Sequence, residues 1–202
     1  MKNHLDQTIE SYRQKFDVYV ELTPSVVSGV YKDWMDEFAA FLNEGATIFE
    51  IGSASGRDAR YFASKGFRVV CTDVVPVALQ KLAREGFEVA DFDFRDKPKP
   101  EWIGAFDGIF ANAVLLHAAP DVFENALKNL MPILKAGGIV GFSLKIGDGE
   151  EETSRKLGAP RVFYYYTEQK VREILSRLPL KILSVAHSEE GKWIYFTAKY
   201  TG

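Results

Sequence analysis

The sequence predicts a doubly wound α/β fold: a seven-stranded mixed sheet with an antiparallel last strand, helices on both faces and a helical cover at the N-terminus. Three observations carry this. Two amphipathic helical stripes come first. From Ala46 to Lys145, short apolar runs then alternate with helix-length stretches, the pattern of parallel strands joined by crossover helices. Last come two alternating runs joined only by Ser188-Glu-Glu-Gly191, a connection so short that the pair must be antiparallel.

Leu5, Ile9, Tyr12, Phe16 and Tyr19 recur at steps of three or four, which predicts a helix over 5–21. Pro24 is expected to open a second helix to about Leu42, with Val26, Val27, Val30, Trp34, Phe38 and Phe41 on one side. The first strand is 46–51, and its helix ends at Gly66. The second strand is Phe67-Arg-Val-Val-Cys-Thr. Pro76 suits the first turn of the helix 76–85, which Gly86 closes. Phe87-Glu-Val-Ala and Phe106-Asp-Gly-Ile-Phe-Ala-Asn112 are the third and fourth strands. A helix from Pro120 or Asp121 to about Leu134 leads through Gly137-Gly138 into the fifth, 139–145. A loop, 146–163, precedes a helix at 167–177 and the strands 180–187 and 192–200. The chain is therefore expected to form one domain, 1–202. Residues 1–44 are the cover, 45–145 a ligand-binding half, and 146–202 a substrate-side loop, helix and hairpin.

Composition narrows the function. A hydrophobic content of 47% and a charged content of 26% are ordinary for a soluble domain. A net charge of −3 gives little support for nucleic-acid binding. The single Cys71 excludes an intrachain disulfide or a multi-cysteine metal site, and its setting reads as a buried strand thiol. No apolar run reaches membrane-spanning length and the N-terminus lacks a signal-peptide core, so the expectation is a cytoplasmic protein without a metal or a membrane.

The densest signal is residues 49–62. The first strand ends in Glu50, a small-residue loop Gly52-Ser-Ala-Ser-Gly56 follows, and a helix starts at Arg57-Asp58. Small side chains let a ligand lie against the backbone, and free N–H groups at the helix start favour a negative group. In an open α/β sheet, ligands bind at the carboxyl ends of the strands. Asp73, about twenty residues after Gly52, sits where an acid accepts from ribose hydroxyls. Asp91 beside Phe92 offers an acceptor and an apolar wall for a purine, and Asn112-Ala113 ends the fourth strand. Asp73 also suits a helix cap and Asp91 a turn. The loop departs from the dinucleotide fingerprint Gly-x-Gly-x-x-Gly, and Glu50 disfavours a pyrophosphate while suiting a ligand with an ammonium.

These residues resemble the motifs of the class I S-adenosylmethionine-dependent methyltransferases, whose sheet is Rossmann-like. Glu50-Ile-Gly-Ser-Ala-Ser-Gly56 resembles the first motif, Asp/Glu-x-Gly-x-Gly-x-Gly. Cys71-Thr-Asp-Val74 resembles the second, whose acid holds the ribose. Ala90-Asp-Phe-Asp93 resembles the adenine turn, Phe106 to Ala113 the fourth motif, and Leu134-Lys-Ala-Gly-Gly138 the lead into the fifth strand. The resemblance covers 46–145 closely. It implies S-adenosylmethionine as cofactor, held by Glu50, Gly52, Ser53, Ala54, Gly56, Arg57 and Asp58 of the loop and helix start. Asp73, Val74, Asp91, Phe92, Asn112 and Ala113 would hold the rest. Within the family, Gly56-Arg-Asp-Ala-Arg-Tyr-Phe62 and Leu115-Leu-His117 resemble a bacterial small-molecule branch, in which Tyr12 and Tyr19 would line a helical cover. Ala54 departs from the family's middle glycine.

Transfer of a methyl group from a sulfonium is an in-line displacement that mainly needs alignment, with a base only where the acceptor holds its proton. His117, just past the fourth strand, is the candidate catalytic base, against a packing or capping role. In the 146–166 loop, Arg161 is a candidate for an acidic acceptor group, with Tyr164, Tyr166 and later Trp193 as further acceptor-binding candidates. The acids Glu150-Glu-Glu152 read as a solvated run. The motif Asn112-Ala-Val-Leu115 lacks Asn/Asp-Pro-Pro-Tyr, which disfavours exocyclic and amide nitrogens of DNA, RNA or protein. The expectation is methyl transfer to a small-molecule acceptor by a monomer or homodimer. Rivals are a tRNA or protein methyltransferase, a non-catalytic module binding the cofactor or S-adenosylhomocysteine, and a nicotinamide oxidoreductase.

Overall fold

Parallel strands β1 (Thr47–Ile51), β2 (Arg68–Asp73), β3 (Glu88–Asp91), β4 (Phe106–Ala111) and β5 (Leu134–Ile146) lie in the order β3-β2-β1-β4-β5 in the computed structural model, which describes residues 4–202. The crossover helices are α4 (Arg57–Ser64), α5 (Pro76–Arg84) and α6 (Pro120–Leu130). Ahead of them stand α1 (His4–Gln14), α2 (Phe16–Glu21) and α3 (Gly29–Ala40). The tail carries β6 (Glu150–Thr153), β7 (Arg161–Tyr166), α7 (Glu168–Leu175), β8 (Leu180–His187) and β9 (Trp193–Tyr200). The predicted α/β class and antiparallel closing strand hold: β9 runs antiparallel to β5 from Ile139↔Lys199 to Lys145↔Trp193, and β8 pairs outside it.

Local chemistry accounts for the element ends. α4 and α5 stop with the same motif. Gly66 (φ +88) and Gly86 (φ +91) reverse the chain. Phe67 N–H donates to Phe62 O at 3.2 Å, and Phe87 N–H to Leu82 O at 3.1 Å, so the glycine's left-handed turn satisfies the last carbonyls. Pro76 occupies the first turn of α5, and the Thr167 hydroxyl accepts from Lys170 N–H at 3.1 Å to start α7.

Three expectations need correction. Pro24 does not open a helix. Gly29 has φ +59, which no right-handed helix can pass through, so α3 begins there, leaving Val26 and Phe41 exposed. The 146–163 segment is not a structureless loop, because β6 pairs antiparallel with β7 from Glu150↔Tyr164 to Thr153↔Arg161. The acids at 150–152 thus sit on an edge strand, where charge blocks further pairing. Among the described residues the sheet therefore has nine strands rather than seven. β5 makes this possible by extending past the end of β4: its last residues, Lys145 and Ile146, pair with Tyr165 and Tyr166 of β7.

Each face of the sheet buries its own core. On one, α3 and α4 place Trp34, Met35, Phe38 and Phe62 over Ile48, Phe110 and Ile139. The Trp34 indole donates to Thr197 Oγ1 at 3.1 Å. On the other, Phe49, Ile109, Phe123, Phe142, Tyr166 and Phe196 pack together. Cys71 is buried as expected. Among the described residues no helix is long and apolar enough to cross a membrane.

Phe38 fits because Gly108 and Gly141 leave room for it. A Cβ on Gly141 would meet Phe38 Cδ2 at 2.8 Å, and one on Gly108 would meet Cζ at 2.9 Å. Gly141→Ala should therefore cost about 1–3 kcal/mol in urea unfolding. In a Phe38→Leu background that cost should shrink, giving non-additive changes in the double-mutant cycle.

Candidate functional site

The strand order reverses between β1 and β4, and the crevice at their carboxyl ends holds the site. Thr72 Oγ1 donates to Glu50 O at 2.8 Å, and Ser53 N–H donates to Thr72 O at 2.9 Å. The loop 52–56 is thereby sewn to β2. Gly52 (φ +69) lies so close to β4's exit that a Cβ would meet Val114 Cγ2 at 2.9 Å. Gly56 (φ +77) caps α4, and a Cβ there would run into Leu82 Cδ2.

Ala54, the departure from the glycine pattern, adopts φ +46. The loop does require a left-handed residue here, and alanine supplies it at a strain of about 1–2 kcal/mol. Ala54 N–H donates to Asp73 Oδ2 at 2.8 Å, while Val75 N–H donates to Oδ1 at 2.9 Å. Asp73 is buried, which raises its carboxyl pKa. The only other described non-glycine residue at positive φ is Ala113 (φ +54), directly after β4. Its N–H donates to Ser143 Oγ at 2.8 Å, and that hydroxyl donates to Asn112 Oδ1 at 2.6 Å. Strained residues on both sides of one crevice are the pattern of a functional site.

Two cavities meet here, sharing Tyr12, Tyr19, Gly52, Ala54, Asn112 and Ala113. The smaller, about 90 Å³, lies under α1 and reaches Asp73, Val74, Phe92 and His117. The larger, about 770 Å³, is open and reaches Ser53, Arg57, Asp58, Arg161, Phe163 and Trp193. At its inner end, Arg57 Nε donates to Asp58 Oδ1 at 2.6 Å. Asn112 Nδ2 donates to Asp58 Oδ2 and to the Tyr31 hydroxyl, each at 3.0 Å. Beneath the loop, Glu50 is buried, and among the described residues neither its Oε2 nor the nearby Ser53 Oγ has a hydrogen-bond partner. Burial, reinforced by Asp58, holds the Glu50 carboxyl well above the usual carboxylate range.

His117 is buried and bonded at both ring nitrogens. Nδ1 lies 2.6 Å from Val162 O, which can only accept, so Nδ1 carries the proton. Nε2 accepts from the Tyr12 hydroxyl at 3.1 Å. Arg161 Nη1 donates to that hydroxyl at 3.2 Å. Burial lowers the His117 pKa to about 4, making it a weak base at neutral pH. It also borders the small cavity and not the large one, so the geometry does not favour its direct use as a base.

The sequence candidates divide clearly. Tyr12, Tyr19, Gly52, Ser53, Ala54, Arg57, Asp58, Asn112 and Ala113 line the larger cavity, and Asp73, Val74 and Phe92 line the smaller one. Asp91 is exposed and borders neither; Asp93 borders the small cavity and is tied to Arg95 at 2.6 Å. In β7, Tyr166 is buried with its hydroxyl donating to Ala118 O at 2.6 Å, and Tyr164 packs on the same core. Neither reaches a cavity. A strand alternates faces, so Arg161 and Phe163 face the large cavity while Tyr166 turns away from it onto Phe123 of α6. Arg161 is buried, being only 5% exposed. Trp193 lines the large cavity as expected. Tyr31 was not expected in the site; Lys145 and Phe163, which belong to the segment expected to shape the acceptor space, also line the large cavity. Lys145 carried a signal: it ends a strand at the sheet's ligand-binding edge.

The His117 ring, neutral in the folded protein, gains protons on unfolding below its ordinary pKa of about 6.5. Its contribution to stability is present above that value and lost as pH falls toward 4. Between pH 6.5 and 4, the wild-type protein should lose about 3 kcal/mol more stability than His117→Gln, as measured by chemical unfolding across pH.

Residues 49–140 match the family model described as a methyltransferase domain. No curated protein matches the sequence. Solved structures share the fold. A Burkholderia thailandensis 1,6-didemethyltoxoflavin-N1-methyltransferase, solved with 1,6-didemethyltoxoflavin and S-adenosylhomocysteine, is 21% identical over 98% of this chain and 87% of its own, with a TM-score of 0.75. A Clostridium acetobutylicum S-adenosylmethionine-dependent methyltransferase is 14% identical over 96% and 99%, at 0.69. A Rhodobacter sphaeroides protein described as a putative zinc-dependent alcohol dehydrogenase is 13% identical over 100% of both chains, at 0.76. Such low identities show a shared fold alone. Among the described residues no group of three His, Cys, Asp or Glu is placed to hold a metal ion. Residues 49–140 thus match a methyltransferase domain, with their motifs in the expected places on the sheet.

Proposed function

We propose that this protein transfers a methyl group from S-adenosylmethionine to a small-molecule acceptor. The observation that carries the reading is the pair of cavities meeting at the 52–56 loop, one ending at Asp73 and Phe92, the other at Asp58 and Ser53. The first suits a ribose and a purine: each Asp73 oxygen accepts one backbone bond and keeps capacity for another, and Phe92 gives an apolar wall. The second suits an amino-acid end, with Glu50 and Ser53 as the unpartnered acceptor and hydroxyl beneath it. The rest of the larger cavity, toward Phe163 and Trp193, is the acceptor's space.

When bound, the cofactor supplies a methyl group already activated by its sulfonium. What remains for the chain is to bind, orient and exclude water. Tyr12 and Tyr19, edge to face at 5.2 Å, form a wall shared by the two cavities. At about 90 Å³, the small cavity is below the usual range of ligand pockets, about 300–1,000 Å³. Admission of a nucleoside therefore requires α1 to move outward. α1 is held by bonds that such a motion breaks, among them Ser11 Oγ to Pro160 O at 2.6 Å and Arg13 Nε to Val74 O at 3.0 Å. One domain over 1–202, a monomeric or homodimeric state and a cytoplasmic location complete the reading.

S-adenosylmethionine and S-adenosylhomocysteine, each at about one hundred times its Kd, should add about 2.7 kcal/mol to unfolding stability, and NAD should add nothing. A stabilising effect of NAD alone would sink the assignment. Asp73→Ala should weaken S-adenosylhomocysteine binding by about tenfold or more, read by calorimetry. Release of S-adenosylhomocysteine in the presence of small acceptors separates an enzyme from a module that only binds.

A further inference from the structure

Among the described residues, Arg161 is a buried guanidinium with no carboxylate. It is 5% exposed, its Nε is buried without a hydrogen-bond partner, and its one hydrogen bond goes to the neutral Tyr12 hydroxyl. A buried charge without a counter-charge is costly, so proteins pair such groups or present them to a ligand. Arg161 lines the large cavity. Its position is fixed from two sides: the guanidinium carbon lies 5.0 Å from the Phe163 ring centre and 5.6 Å from that of Tyr12. A stacked guanidinium of this kind is pre-organised for a planar, two-toothed oxyanion.

Two more cations line the same cavity without an ion-pair partner. Lys145 Nζ sits 3.8 Å from the Phe163 ring centre, and Lys156 Nζ donates to Thr23 Oγ1 at 3.1 Å. No carboxylate lies within ion-pair distance of either, among the described residues. The cavity's acids are engaged elsewhere or stand at its rim: Asp58 is paired with Arg57, Glu151 accepts from the Tyr165 hydroxyl, and Glu189 and Glu190 sit exposed in the β8–β9 turn.

We propose that the methyl acceptor is itself an anion, a small planar molecule bearing a carboxylate or similar oxyanion, with that group on Arg161 and Lys145 and its ring against Phe163 and Trp193. This rests on the methyl-transfer reading above. Arg161 and Lys145 are then specificity residues for the acceptor and have no part in holding the cofactor, whose amino-acid end is assigned to the opposite side at Asp58 and Ser53.

The test uses the full chain saturated with S-adenosylhomocysteine and titrated calorimetrically with benzoate, salicylate and 4-hydroxybenzoate, each against its neutral amide. At least one carboxylate should bind saturably below about 10 mM, about tenfold or more tighter than its amide. Arg161→Met should remove that preference while changing S-adenosylhomocysteine affinity by less than about threefold. Equal binding of amides and carboxylates, or no saturable binding by any carboxylate, would overturn the proposal. So would loss of S-adenosylhomocysteine affinity in Arg161→Met, which would place the cofactor's own carboxylate on Arg161. If Arg161→Met does not fold, Lys145→Met serves: carboxylate affinity should fall about threefold or more with the amides unaffected, and an unchanged preference is contrary. Failure of wild-type protein to bind S-adenosylhomocysteine at all is a different result, and it strikes the methyl-transfer reading itself.

Discussion

The Asp73 carboxylate is the fastening on which the site depends. One oxygen takes the N–H of Ala54 and the other the N–H of Val75. A single side chain at the end of β2 therefore fixes both the loop leaving β1 and the start of α5. The loop is strained at Ala54, and a strained loop keeps its shape only where its surroundings over-determine it. Asp73, the Ser53–Thr72 backbone bond and the glycine contacts at positions 52 and 56 provide that. The same carboxylate faces the small cavity, so the group that builds the site also borders the space proposed for the ribose.

Charge is distributed unevenly around this frame. The buried side-chain polar atoms without partners, among the described residues, are Glu50 Oε2, Ser53 Oγ and Arg161 Nε. Ser53 and Arg161 line the large cavity, and Glu50 lies buried beneath the loop at its edge. An acid and a hydroxyl stand on the β1 side and a guanidinium on the β7 side. Such a site suits ligands that bring a positive group to one end and a negative group to the other. The long β5 makes this opposition possible, because only its extension past β4 lets β7 pair there and lower Arg161 and Phe163 over the crevice.

Much of this was legible in the sequence, for physical reasons that differ by element. The parallel core strands and their helices announced themselves by period and by glycine punctuation, as at Gly66 and Gly86. The 52–56 loop, Asp73 and Asn112 followed from strand ends, where an α/β sheet must place its site. The β6–β7 hairpin was not legible, because three successive glutamates on an edge strand look the same as a solvated loop. That omission hid the parity of β7, so Tyr164 and Tyr166 were chosen beside Arg161, where it is Phe163 that shares the cavity with Arg161. Pro24 misled for a similar reason: it is a good first helical residue, and the left-handed backbone at Gly29 that overrides it leaves no trace in the apolar spacing. His117 was found, but its burial and its two bonds come from Val162 and Tyr12, which are distant in sequence.

The most direct test of this account is an experimental structure of the protein with S-adenosylhomocysteine. It should show the ribose hydroxyls on Asp73, the purine against Phe92 with α1 displaced outward, and the amino group on the Glu50–Ser53 side of the loop, with Arg161 left free. An adenosyl group bound away from Asp73, or the cofactor's carboxylate seated on Arg161, would contradict it.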